Sequence, residues 1–283
     1  MPRRQPSGFS FTRLLVWGVV LAAGLVGFTL AFLPASALEG PVVRRLEAAT
    51  GARVSLAQIE LGFGGLLPFG ELRDMELHWS DGTQIDVARL RARPVVSLAW
   101  LRGVPDVELS LDSSAGGFEG RVSAERVKGQ ARGFDLAKLP RRWLGEGGAP
   151  LEGPLDAQLD LARHADQWAG SVSFAGQKGV LALAGAPVSL PYETLAGDVS
   201  LDEVGTLRLS RFALAGPLAT GTATGTVQPG YAGPATGALD LTVDVQRVDP
   251  AFVPTLVQAG IPLDPSGIGR LRVTGTPERP TIR

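Results

Sequence analysis

Histidine and cysteine, the side chains that most readily do acid–base and metal chemistry near neutral pH, are scarce in this chain, and the histidines stand apart. The chain has two histidines, His78 and His164, and no cysteine. His78 sits beside Trp79 in a strand-like stretch, and His164 lies in the turn-like run Arg163-His164-Ala165-Asp166. A metal site or a catalytic base needs partners converging on one point, and two isolated imidazoles supply none. Asp156 and Asp160 lie on the polar side of an alternating stretch, where carboxylates serve solubility. No G-x-S-x-G elbow, P-loop or G-x-G-x-x-G run is present. Trp17, Trp79, Trp100, Trp143 and Trp168 are too dispersed for a stacking platform and read as core or membrane-interface residues. The expectation is a non-enzymatic chain with no cofactor and no metal.

The spacing organises a different chemistry, the burial of apolar surface. Leu155, Leu159 and Leu161 alternate with Asp156, Gln158 and Asp160, and Leu239, Leu241, Val243 and Val245 alternate with Asp240, Thr242 and Asp244. Such a pattern describes a strand with one apolar and one wet face, and strict alternation points to an antiparallel sheet. These seven residues are the candidate lining of an apolar groove, a face that must be covered by another sheet layer, by the sheet's own curvature, by a partner or by lipid acyl chains. Similar alternation marks strands around Met75–Trp79, Val107–Leu111, Trp168–Phe174 and Leu207–Leu209. Glycine and proline (37 and 21 residues) supply the turns, as at Gly116-Gly117, Gly147-Gly148 and Gly233-Pro234. At residues 57–58 the apolar parity slips, from Val54 and Leu56 to Ile59 and Leu61, which predicts a β-bulge.

Helical spacing is rare. Leu38, Val42 and Leu46 predict an amphipathic helix closed by Gly51. Asp249 to Ala259 predicts another, with Pro250 in its first turn and Gly260 after it, and Asp135 to Leu139 predicts a shorter one. Two echoes suggest an internal repeat. Phe134-Asp135 followed by Gly153 matches Val248-Asp249 followed by Gly267. Gly153-x-Leu155-Asp156-x-x-Leu159-Asp160-Leu161 matches Gly237-x-Leu239-Asp240-x-x-Val243-Asp244-Val245.

What must position all this starts with Leu14 to Leu33, a stretch of 20 residues inside a charge-free run from Arg13 to Glu39. As a helix it spans roughly 30 Å, the thickness of a bilayer's hydrocarbon core. Arg3, Arg4 and Arg13 on its short N-terminal side predict that this end is cytoplasmic and the rest periplasmic. Ala35-Ser36-Ala37 also fits an A-x-A cleavage pattern, so a cleaved leader is the alternative, although the run exceeds the roughly 7–15 residues of a signal core. The expected organisation is a cytoplasmic tail (1–13), a transmembrane anchor (14–33), a linker with a short amphipathic helix (34–50) and a periplasmic β domain (51–283).

Setting aside the three N-terminal arginines leaves 24 of the 27 basic residues against 28 acidic ones. There is no basic field for nucleic acid. Without cysteine, a disulfide framework and metal-thiolate sites are excluded, and without asparagine so is N-glycosylation.

Three passages carry a family likeness. One is Leu46-Glu47-Ala48-Ala49-Thr50-Gly51-Ala52-Arg53-Val54, then Leu56-x-x-Ile59-x-Leu61 and Gly65-Leu66-Leu67-Pro68. The second is Phe134-Asp135-Leu136-Ala137-Lys138-Leu139-Pro140, leading to Leu151-x-Gly153-x-Leu155. The third is Gly267-x-Gly269-x-Leu271-x-Val273-x-Gly275-Thr276-Pro277-Glu278-Arg279-Pro280. With an N-terminal anchor, the chain resembles the type II secretion system protein N family, itself similar to the AsmA/TamB-like proteins. The resemblance implies an inner-membrane accessory of the secretion machinery, with other secretion-system subunits as partners, or alternatively a lipid-binding or lipid-transfer module. It implies no catalytic residues. The fold expected is mainly β: a single transmembrane helix, then an elongated, curved antiparallel sheet forming a folded-over half-barrel or groove, with one or two short helices.

Overall fold

Helix gives way to sheet at Gly51, where the apolar period changes. The computed structural model describes residues 35–64, 67–95, 106–140, 151–164, 167–182, 189–228, 237–258, 261–276 and 279–283. Helix α1 (Ala35–Thr50) ends where Gly51 takes φ +58° and donates its N–H to the Glu47 carbonyl at 2.7 Å. That left-handed position is the one glycine holds at least cost. The expected anchor, residues 14–33, lies outside the described residues. No described helix is long and apolar enough to cross a membrane.

Strands follow: β1 (Arg53–Gly64), β2 (Leu67–His78), β3 (Gln84–Val95), β4 (Asp106–Ser113), β5 (Gly116–Val122), β6 (Arg126–Asp135), β7 (Leu151–Glu152), β8 (Pro154–His164), β9 (Gln167–Ala182), β10 (Ser189–Leu201), β11 (Leu207–Ala215), β12 (Ala219–Val227), β13 (Leu239–Val248), β14 (Gly269–Thr276) and β15 (Arg279–Ile282). They form one open, 15-stranded antiparallel sheet in which neighbours in sequence are neighbours in space. The exception is β7, which pairs with the far part of β9 beyond the start of β8. The antiparallel arrangement is the one the alternation demanded.

Among the described residues, helical pieces attach at one rim, here the helix rim. Helix α1 leads into β1 there, a 3-10 turn (Leu136–Lys138) follows β6, and helix α2 (Val253–Gln258) follows β13. Each sits over its own apolar cluster. Leu46 of α1 packs on Met75, Leu77, Trp79, Ile85 and Val87, and the Trp79 indole N–H donates to the Thr50 carbonyl at 3.1 Å. Leu136 packs with Leu151, Leu155, Tyr192, Leu195 and Leu214. Leu256 of α2 packs with Val248, Ile261 and Leu271. The helix expected over Asp249–Ala259 is thus shorter than its pattern, because Asp249 to Phe252 form a turn first.

The parity slip at residue 57 is real, and it is shared. Leu56 pairs with Met75 and Gln58 with Arg73, but the level between them is irregular on both strands, with Asp74 at φ +49°. Because β1 and β2 slip together their register does not shift. The shift appears instead between β3 and β4, at Val87/Arg89.

Of the two echoes, one is structural. Asp135 Oδ1 accepts from the Ala137 and Gly153 N–H groups, and its own N–H donates to the Ala115 carbonyl. Asp249 repeats the place: Oδ1 accepts from Ala251 N–H, and its N–H donates to the Leu218 carbonyl. Gly153 and Gly267 both hold positive φ. The other echo is compositional. Leu155 lies at the helix-rim end of β8, whereas Leu239 opens β13 at the opposite, far rim, so matched letters sit at inverted depths.

Candidate functional site: the apolar face

Residues paired across antiparallel strands share a face, so successive pairings can be followed from edge to edge. Four apolar rows emerge, numbered here from the helix rim. Row one joins Leu155 to Val245 through Gly176, Leu195, Leu214 and Gly221. Row two runs from Ile59 through Leu72, Leu90, Leu111 and Phe118 on to Phe174, Phe212, Val243 and Leu271. Row three joins Leu61 at one edge to Ile282 at the other, passing Leu109, Leu159, Val172, Val199, Leu209, Leu241 and Val273. Row four starts at Phe63 and passes Val107, Val122, Val127, Leu161, Leu201, Leu207, Val227 and Leu239.

All seven residues proposed from the sequence therefore lie on one face, but not at one depth. Leu155 is buried, and Val243 and Val245 pack against the cluster beneath α2. Leu159 and Leu241 belong to row three, Leu161 and Leu239 to row four. Burial falls off with distance from the helix rim, and most of row two is partly buried. Leu155, Leu195 and Leu214 in row one, the paired Met75 and Val87 on β2 and β3, and Ala223 and Leu271 in row two are buried, whereas no described side chain of rows three or four is. The clusters under α1, the 3-10 turn and α2 account for the buried half. Rows three and four form a partly exposed apolar band along the far rim, whose large side chains are open only at its edge residues Leu61, Phe63 and Ile282. At its β1 end Leu61, Phe63, Pro68 and Pro94 line a small apolar cavity of about 220 Å³.

Glycines in the rows are matched to large neighbours. The Phe174 ring lies over Gly197, where a Cβ would meet it at 2.4 Å, and Phe118 covers Gly120 and Gly129. Tyr192 spans Gly153, Gly176 and Gly179 and donates its hydroxyl to the Glu152 carbonyl at 3.1 Å. Burial pushes the Tyr192 phenol above its ordinary pKa, with Asp135 adding to the effect.

The opposite face is polar. Arg126 and Lys128 flank Asp160, and Arg270 and Arg272 pair with Asp244 and Asp240. Those arginine contacts hold the Asp160 and Asp240 carboxyls below their ordinary range. Glu71 is the one buried charged residue among those described. It accepts from Arg73 Nε at 2.7 Å, with Arg89 Nε at 3.1 Å and Arg91 Nε at 4.0 Å. The Arg73 hydrogen bond, above all, lowers its pKa. Arg91 also lies over the Phe69 ring, 4.3 Å from its centroid.

His78 contacts Glu76 at 3.2 Å and His164 contacts Glu203 at 3.7 Å, both at exposed positions. Among the described residues no three His, Asp or Glu side chains converge to hold a metal ion. Asp156 accepts from the Gly133 N–H, a structural role at the bulge of β6.

Sequence reasoning missed Val199, Leu201 and Glu71. Alternation in β10 is broken at Glu193, between the Tyr192–Gly179 and Thr194–Gln177 pairs, where Lys178 on β9 holds φ +55°, so Tyr192 and Leu195 share a cluster three residues apart. For Glu71 a signal exists in the run Arg89-Leu90-Arg91-Ala92-Arg93, which sets three guanidinium groups on one strand face. No family model matches the chain, and neither does any curated protein or solved structure.

Proposed function

We propose that this chain is a non-enzymatic, inner-membrane-anchored periplasmic protein that holds lipid acyl chains on rows three and four of its apolar face. The observation carrying this reading is the partly exposed band itself, continuous across the strands while burial deepens toward the helix rim. Fourteen successive strands set roughly 60 Å of apolar track across the sheet, at about 4.8 Å per strand. An apolar surface of that extent calls for a ligand or a partner. The AsmA/TamB-like side of the sequence resemblance points to the same chemistry, and a curved, folded-over sheet would wrap the track into a groove.

A second reading, an accessory subunit of a type II secretion system, draws on the protein N likeness and on the two outer strands, β1 and β15, whose outer sides no described strand covers and which suit docking of another subunit. Photo-crosslinking separates the two. A photoreactive residue at Leu159 of the full chain in native membranes should capture lipid, and the same residue at Ser173 on the polar face should not. A protein subunit captured at Leu159 in place of lipid carries the secretion reading. Equal lipid capture at both positions removes the groove.

A further inference from the structure

We infer that the two outer strands of the sheet, β1 and β15, whose outer sides no described strand covers, are complementary halves of one interface, and that a second copy of this chain sets its β1 against β15 of the first, continuing the sheet head to tail. Six large apolar side chains are exposed among the described residues, and three of them lie on these edges: Leu61 (39%), Phe63 (49%) and Ile282 (37%). Their depths match, since Leu61 and Ile282 are the two ends of row three. Row four likewise begins at Phe63, and the backbone of Pro280 closes it against Gly275.

Strand direction and backbone polarity fit as well. The path from β1 to β15 holds fourteen alternating strands, so β15 runs opposite to β1 and an antiparallel junction keeps the rims aligned. Arg283 exchanges both backbone bonds with Arg272, which turns the N–H and C=O of Ile282 outward. Along a strand, backbone groups alternate sides together with side chains, and reversing the strand reverses the side. Leu61 shares the face of Ile282 on a strand of opposite direction at the opposite edge, so its backbone also turns outward. With Ile282 opposite Leu61 of the second copy, Arg283 falls opposite Glu60, a pair of opposite charges on the polar face. Proline at 280 withholds one N–H and β15 is short, so the contact is weak in dilute solution and depends on local concentration. Being heterologous, it builds rings or open rows. Rows three and four would then run from one copy into the next, which lengthens the track proposed above but does not depend on it.

The chain has no cysteine, so introduced thiols are the only ones. Paired positions in such a junction lie about 5.5 Å apart at Cα, within disulfide reach. Full-length Leu61→Cys and Ile282→Cys variants, oxidised in membranes, should form a disulfide dimer when co-expressed and none when expressed alone. The double variant in one chain should give a ladder of oligomers. Arg283→Glu should weaken the cross-link, and Glu60→Arg in the other copy should restore it. Absence of the mixed dimer, dimers of equal yield from either single variant, or an intrachain disulfide in the double variant overturns the interface. Lipid capture at Leu159 is read in the unmodified edge background, so either proposal can fail without the other.

Discussion

Leu159 on β8 and Leu241 on β13 occupy the same depth of one face, linked through Val172, Val199, Leu209 and Gly225 by successive strand pairings. Leu271, one row nearer the helix rim, is buried beneath α2 at 5% exposure. The same substitution should therefore read out two environments. Leu271→Asp places an unpaired charge in a packed cluster and should unfold the C-terminal part of the sheet. Leu241→Asp should leave thermal unfolding close to that of the unchanged chain and abolish co-purified lipid. Val243 belongs to the packed cluster, so Val243→Asp should behave like Leu271→Asp. Equal destabilisation by Leu241→Asp and Leu271→Asp would show that row three is closed.

Acid should loosen the polar face in a defined window. Glu71, Asp160 and Asp240 on that face, and Asp264 in the turn before β14, all have carboxyls held below their ordinary range, chiefly by hydrogen bonds from Arg73, Arg126, Arg272 and Ser266 respectively. A carboxyl whose folded pKa is depressed contributes stability above its unfolded pKa, about 3.9 for Asp and 4.3 for Glu, and loses it as pH falls through the folded value. Melting temperature should be nearly flat from pH 7 to about 5 and fall steeply below about 4. Glu71→Gln should lower stability at pH 7, because Arg73, Arg89 and Arg91 lose their shared counter-charge, and should flatten the acid limb. An unchanged acid limb in that variant would assign the effect to the surface aspartates.

The strands with strict alternation were legible because each has one wet and one dry face. Leu155 to Leu161 and Leu239 to Val245 fall on the face their parity assigned. Depth was not legible. Whether a leucine is packed or half-exposed depends on which rim carries α1, the 3-10 turn and α2, and no local spacing encodes that. Strand β11 was half-hidden for a different reason. Its bulge opposite Asp198 puts Leu209 and Phe212 on one face three residues apart, which mimics helical spacing. Glu71 escaped because its burial is produced by arginines on the next strand, a relationship set by register.

Tyr192 separates packing from hydrogen bonding. Tyr192→Phe keeps the ring over Gly153, Gly176 and Gly179 and loses only the bond to the Glu152 carbonyl, which should cost about 1 kcal/mol. Tyr192→Ala empties the centre of the second cluster and should cost about 3–5 kcal/mol. Denaturant unfolding of both variants checks the ratio. Equal losses would mean that the hydroxyl, rather than the ring, organises the junction of β7, β9 and β10.

Asp135 tests whether the repeated corner is a structural device. Its carboxylate accepts from Ala137 N–H at 3.1 Å and Gly153 N–H at 3.3 Å, so one side chain both starts the 3-10 turn and ties it to the glycine between β7 and β8. Asp135→Ala removes the acceptor for both donors and should cost about 1 kcal/mol, a melting shift of roughly 2–4 °C for a chain of this size. Asp135→Asn keeps an oxygen in the same place and should retain most of the stability. Asp249 makes the equivalent bond to Ala251 N–H at 2.9 Å, and Asp249→Ala should lose a similar amount beneath α2. The two corners sit over separate clusters, so their losses should add in the double variant. An Asn variant at Asp135 as unstable as the Ala variant would mean that the charge, rather than the cap, holds the corner.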